Sequence, residues 1–253
     1  MSGFNPLDLT GSAILITGAS AGIGRAAAVY LSRLGARLAV SGRDAARLQH
    51  TVESLHGSGH VALVSDLAVQ PVSVTVDAAF HALGRLAGAV HCAGLHELRP
   101  LKLQSRERIN RLLEVNLIAA LELAQALRKP SVRAERPSIV FLSSVMATVG
   151  QPGAAGYCAS KAAIEGMTRS LALELAPERI RINAVAPAVV RTEMGERMFQ
   201  SMNADQQAAV ERAHPLGLGE PDDVAAAIAF LLSPASRWAT GTILTIDGGY
   251  TAQ

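Results

Sequence analysis

The sequence predicts an α/β protein, a doubly wound and mostly parallel seven-stranded sheet with helices on both faces. Seven short apolar runs, at 13–17, 37–41, 60–65, 88–91, 138–143, 180–185 and 242–246, recur between stretches of helical periodicity. That alternation builds a parallel sheet joined by crossover helices. Several of the runs lack apolar–polar alternation, as expected of strands covered on both faces. A glycine-rich segment follows the first run, where such a fold turns from strand to helix and meets its ligands.

The chain has 253 residues, 49% hydrophobic and 17% charged, with no break in composition, no repeat and no low-complexity tract. This reads as one folded domain over 1–253. A net charge of +2 gives no general attraction to nucleic acid or to a membrane surface. No apolar run approaches twenty residues and no basic–apolar–small leader follows Met1, so a cytoplasmic protein is expected rather than a secreted or membrane-spanning one. Cys92 and Cys158 make a weak disulfide case, and no His, Cys and carboxylate cluster has metal-ligand spacing.

The first run leads into Thr17, Gly18, Ala19, Ser20, Ala21, Gly22, Ile23 and Gly24, followed by a helical stretch over 25–34 that stops at Gly35. Glycines let the backbone approach a pyrophosphate, and the helix start offers free N–H groups and the positive end of its dipole. The second run ends in Ser41, Gly42, Arg43 and Asp44. A carboxylate near this point would bind an adenosine ribose and select NAD. Gly42 leaves room for a phosphate instead, and Arg43 can pair with one bidentately. NADP(H) is therefore favoured over NAD(H); the competing reading has Arg43 on the surface and Asp44 capping the next helix. The third and fourth runs lead to Asp66–Leu67 and to His91, Cys92, Ala93 and Gly94.

A long helix is expected over 105–128, N-capped by Ser105, with Asn116 at a mid-helix position where Asn is a mediocre helix former. The fifth run delivers Ser143 and Ser144 to the carboxyl edge of the sheet. The next helix, from about Tyr157 to Ala176, places Tyr157 and Lys161 at i and i+4 on one face. A free tyrosine titrates near 10, and bringing it near 7 requires roughly 4 kcal/mol in favour of phenolate. A lysine charge about 4–5 Å away supplies about 3–4 kcal/mol at an effective dielectric near 20. The pair can thus make a tyrosine that exchanges protons at neutral pH. After the sixth run, 193–219 is polar, with Met194, Met198, Phe199 and Met202 interspersed, and reads as a long irregular insert.

In their order, these residues resemble the short-chain dehydrogenase/reductase family in its single-domain branch of about 250 residues, over nearly the whole chain. Within it the chain is similar to 3-oxoacyl-acyl-carrier-protein reductases and related ketoreductases. The resemblance implies a Rossmann-type fold, and Asn116, Ser144, Tyr157 and Lys161 as the catalytic four, with Ser144 thirteen residues before Tyr157. It implies that Asn116 lies at a local helix distortion holding a water that links Lys161 to solvent. Cofactor contacts are implied for Gly18, Ser20, Ala21, Gly22, Ile23, Gly24, Arg43, Asp66, Leu67, Ala93, Gly94, Tyr157, Lys161, Pro187, Val190 and Thr192. Substrate contacts fall on Ser144, Met146, Gln151, Tyr157 and Met194, beneath a lid at about 190–219. The two long helices make the main subunit contact in the family, so the resemblance implies a homotetramer or homodimer.

The chain departs from the family at His91-Cys92, where two asparagines are usual, at Pro187-Ala188 in place of Pro-Gly, and in a shortened 214–221 segment without its arginine. The leading expectation is NADPH-dependent reduction of a ketone. The runner-up is an NAD(P)-dependent dehydrogenase acting on a sugar, steroid or other secondary alcohol. A nucleotide-sensing module would not be expected to keep all four catalytic groups. An acyl carrier protein partner is weakened by the mixed charge of Glu135-Arg136 and Glu178-Arg179. His91 and His96 read as packing or pocket-wall residues.

Overall fold

A computed structural model describes residues 5–200 and 202–252. The elements run β1 (Ala13–Thr17), α1 (Gly22–Arg33), β2 (Arg37–Gly42), α2 (Ala45–Glu53), β3 (Val61–Val64), α3 (Val72–Leu83) and β4 (Leu86–His91). Then come α4 (Arg106–Leu113), a π-helical turn (Glu114–Ile118), α5 (Ala119–Leu127), β5 (Arg133–Leu142), α6 (Ala155–Leu175) and β6 (Arg181–Pro187). The chain closes with α7 (Glu193–Gln200), α8 (Ala204–Arg212), α9 (Pro221–Leu232) and β7 (Ile243–Ile246).

The strands form one sheet in the order β3-β2-β1-β4-β5-β6-β7, and every neighbouring pair is parallel. Strand order reverses between β1 and β4, and there the crevice at the carboxyl ends opens. Each face of the sheet carries its own core. Ile14 and Ile16 of β1 pack with Leu31 of α1 and Ile228 of α9, while Leu15 between them packs with Leu123 of α5 and Ile164 of α6. Successive strand side chains point to opposite faces. Both faces being apolar is why the run Ala13–Thr17 shows no alternation.

Three elements differ from the sequence reading. The helix expected over 105–128 is interrupted by the π-turn, a one-residue widening that places Asn116, fully buried, at its centre. The segment 193–219 is largely helical rather than irregular: α7 and α8 occupy much of it, and a capping box between Asn203 and Gln206 starts α8. Ser201, within the expected lid, lies outside the described residues, as does Met1. Strand β5 begins at Arg133, so Glu135 and Arg136 sit in its exposed first half, where Glu135 pairs with Arg179 at 3.0 Å. No helix of the described residues is long and apolar enough to cross a membrane.

Candidate active site

A cleft of about 920 Å³ runs along the carboxyl ends of the strands, from Arg43 past Gly18 and Gly94 to Tyr157 and Met194. At Gly18 the backbone adopts φ +66°, and a Cβ there would lie 2.5 Å from the Ala93 nitrogen. Only glycine lets β1 turn into the loop against the end of β4. A Cβ at Gly24 would collide with the Gly18 carbonyl, so loop and helix touch as well. Arg25 holds the loop by donating to the Ser20 carbonyl (2.5 Å) and to the Thr51 hydroxyl (3.1 Å). Helix α1 opens at Ala21 with no side-chain cap. Its first N–H groups thus have no side-chain acceptor at the cleft, which suits an anion.

At the far end, the Ser41 hydroxyl is buried with no hydrogen-bond partner among the described residues, a state that calls for a ligand atom. A Cβ on Gly42 would come within 3.2 Å of the Ser20 hydroxyl, so the space beside Gly42 is narrow. Arg43 is exposed at the cleft edge. Asp44 caps α2, accepting from the Arg47 N–H at 3.0 Å, as the competing sequence reading had it. Arg47, which sequence reasoning passed over, lines the same cleft and reaches across it to Glu193 of α7 at 3.0 Å. Its position depends on how α2 faces α7, which no local pattern reports. Asp66 lies on the wall and accepts from the Ala68 N–H at 3.0 Å, with Leu67 beside it. An uncapped helix start, a glycine-lined approach, an unpartnered hydroxyl and two arginines together fit a dinucleotide.

At the other end, Tyr157 and Lys161 share one face of α6, with Lys161 Nζ 5.7 Å from the phenol ring centre. Lys161 is buried and donates to the Leu142 carbonyl at 2.7 Å. The Ser144 hydroxyl opens on the cleft, accepting from the Met146 N–H at 3.2 Å and donating to the Pro187 carbonyl at 3.5 Å. Ser143 turns to α6, donating to Glu165 at 3.1 Å and to the Lys161 carbonyl at 3.3 Å. The Asn116 side chain accepts from the Leu95 N–H (2.7 Å) and donates to the Leu95 carbonyl (3.0 Å) and the Ser160 hydroxyl (2.9 Å). It clamps the segment after Gly94, where a Cβ would stand 3.4 Å from Asn116 Oδ1 and 3.7 Å from Lys161 Nζ. Pro187, Val190, Thr192, Met146, Gln151 and Met194 line the same cleft, and Thr192 accepts from the Gly195 N–H at 3.1 Å to start α7.

The electrostatics depart from the sequence expectation. In the protein alone Tyr157 is not drawn toward neutrality. Burial pushes it up to about 12, with a smaller lowering from the nearby Ser144 hydroxyl and a raising by Cys158. Burial likewise pushes Lys161 down to about 8. The sequence argument weighed the lysine charge and not the desolvation that both groups share, which is the larger effect. Burial also raises the Cys92 thiol to about 12, so it stays protonated.

His91 takes the place of the missing asparagine. The Val115 carbonyl can only accept, so Nε2 donates to it at 3.1 Å and Nδ1 accepts from the Thr17 hydroxyl at 3.0 Å. One imidazole thus ties β4 to β1 and to the π-turn beside Asn116. Burial first, and the Lys161 charge second, lower it to about 4. Among the described residues no group of three His, Cys, Asp or Glu could hold a metal ion.

Comparison with known proteins gives this geometry its relatives. Residues 18–251 match the family model described as Enoyl-(Acyl carrier protein) reductase. The chain is similar to 3-oxoacyl-[acyl-carrier-protein] reductase FabG of Rickettsia prowazekii (strain Madrid E), at 34% identity over 96% of this chain and 98% of that one. It is also similar to D-erythrulose reductase of Gallus gallus, at 36% identity over 96% of this chain and 97% of that one. The solved structure of 7α-hydroxysteroid dehydrogenase with NADH and 7-oxo glycochenodeoxycholic acid superposes with a TM-score of 0.90 at 29% identity, covering 97% of each chain. Fold, cleft and relatives define an NAD(P)-dependent oxidoreductase acting on carbonyl or alcohol groups. The chain belongs to the short-chain dehydrogenase/reductase family and is related to the 3-oxoacyl-acyl-carrier-protein reductases.

Proposed function

We propose that the protein reduces a ketone to a secondary alcohol with NADPH. The observation that carries this is the half-buried phenol of Tyr157, in the same cleft as Ser144 and backed by Lys161 on the same helix face. When bound, the nicotinamide supplies the hydride. Tyr157 gives its proton to the carbonyl oxygen, and its raised pKa keeps that proton on the phenol through neutral pH. Ser144 holds the same oxygen. Lys161, one turn along α6, faces the phenolate as it forms and would also hold the nicotinamide ribose. Asn116 keeps the Leu95 backbone against this group, and its place in the π-turn supports a proton path from Lys161 to solvent.

The preference for NADP(H) rests on Ser41, Arg43 and Arg47 at the far end of the cleft. The chain acts as one domain, with 190–219 as a lid. Its substrate is a small molecule; an acyl carrier protein is disfavoured by the mixed pairing of Glu135 with Arg179 and Glu178 with Arg128. Exposed Leu121 of α5 and Leu173 of α6 support a dimer or tetramer, and a cytoplasmic location fits the composition. The test is a panel of ketones and secondary alcohols, each with NADPH, NADH, NADP and NAD, followed by nicotinamide absorbance. Fastest turnover with ketone and NADPH is expected; turnover of alcohols alone, or none at all, would overturn the reading.

A further inference from the structure

His96 stands two residues past Gly94, in the segment between β4 and α4. Its ring meets the Tyr157 ring edge to face, with centroids 4.7 Å apart and planes at 81°. It is unlike the other two histidines of the cleft region. His91 has both nitrogens bonded. His214 donates from Nδ1 to the Val210 carbonyl (2.6 Å) and accepts at Nε2 from the Val189 N–H (3.4 Å). The His96 nitrogens have no hydrogen-bond partner among the described residues, although the ring is half-buried against the proton donor. Leu95, Leu98, Val145 and Met146, which line the cleft near it in sequence or beside Ser144, have no side chain able to bond it well. A half-buried imidazole without a protein partner, facing the reacting end of a cleft, is a free recognition group.

Burial and the Lys161 charge both disfavour its cation. At neutral pH the imidazole therefore offers one donor and one acceptor. That chemistry suits a hydroxyl or carbonyl oxygen better than a carboxylate, which gains most from a charged donor. With the ring centres 4.7 Å apart, an oxygen held by Tyr157 and one held by His96 can belong to one small molecule. We propose that His96 binds a second oxygen on the carbon next to the reacting carbonyl, which makes α-hydroxy ketones and α-diketones the preferred substrate class. This rests on the ketoreductase reading above and narrows it.

The test compares kcat/KM for 3-hydroxy-2-butanone and 2-butanone with NADPH in the wild type, His96→Phe and His96→Gln. Phe keeps the ring packing against Tyr157 and removes the nitrogens; Gln keeps a donor and an acceptor. The ratio of the two substrates should fall about tenfold in His96→Phe, the worth of one neutral hydrogen bond, and fall less in His96→Gln. An unchanged ratio in His96→Phe overturns the inference and leaves the ketoreductase reading standing. Failure of the wild type to turn over either ketone, or any other carbonyl, overturns that reading and this inference with it. Inhibition of the wild type provides a check that needs no variant: 2,3-butanediol should inhibit about tenfold more strongly than 2-butanol, and equal inhibition counts against His96.

Discussion

Acid should loosen this protein through one buried histidine, and the size of the effect follows from the geometry. His91 is 1% exposed and fully bonded in its neutral form. Its pKa is about 4 in the fold against 6.5 for the free side chain. Between those values the unfolded chain holds the extra proton and the folded chain does not. Stability from this group is therefore fully present above pH 6.5 and is lost as pH falls toward 4. A gap of about 2.5 units corresponds to about 3 kcal/mol. His91→Asn removes the titration. Carboxylates titrate in the same range, so the quantity to follow is the difference between wild type and variant. Urea unfolding at pH 7.5, 6, 5 and 4.5, at one protomer concentration, gives it. The wild-type advantage should shrink by 2 kcal/mol or more across that range. A difference that stays constant with pH would refute the reasoning and would mean that His91 is protonated, or solvated, in the fold.

The other predictions concern the cofactor and the assembly. Arg43→Ala should lower the NADPH-to-NADH ratio of kcat/KM by about ten- to a hundredfold, the loss of one charge-assisted hydrogen-bonded pair. Gly42→Asp should lower it further, with a stability cost because its Cβ must displace the Ser20 side chain 3.2 Å away; an unchanged ratio in both variants would return Arg43 to the surface. Sedimentation at micromolar concentration should show a dimer or tetramer that buries Leu121 and Leu173, and a monomer alone would remove that proposal.

The strands were legible because both faces are buried, which leaves short unbroken apolar runs. The polar start of β5, Arg133 to Pro137, was not, since three of its five residues are charged and its proline speaks against a strand. Helix α7 carries Met194 and Met198 at i and i+4, a helical signal outweighed by the polarity around it. Tyr157 and Lys161 could be placed on one helix face from their spacing, and Ser144 beside them from the strand end and the family resemblance. Their proton affinities could not, because desolvation depends on what covers a group and not on its neighbours in sequence. His91 looked like a lost asparagine; only the approach of Thr17 and Val115 reveals a replacement tie. Arg47 and His96 were missed or set aside for the same reason, since each gains its role from an element distant in sequence.

The central claim is that Tyr157 is the proton donor in carbonyl reduction. Its most direct test is NADPH consumption with a good ketone in the wild type and in Tyr157→Phe, with NADPH binding measured separately by fluorescence. The phenol oxygen is the only atom removed, so turnover should fall by at least a thousandfold, at the middle of the range for general acid catalysis, while NADPH affinity changes less than fivefold. A variant that keeps a tenth of the wild-type rate would contradict the account.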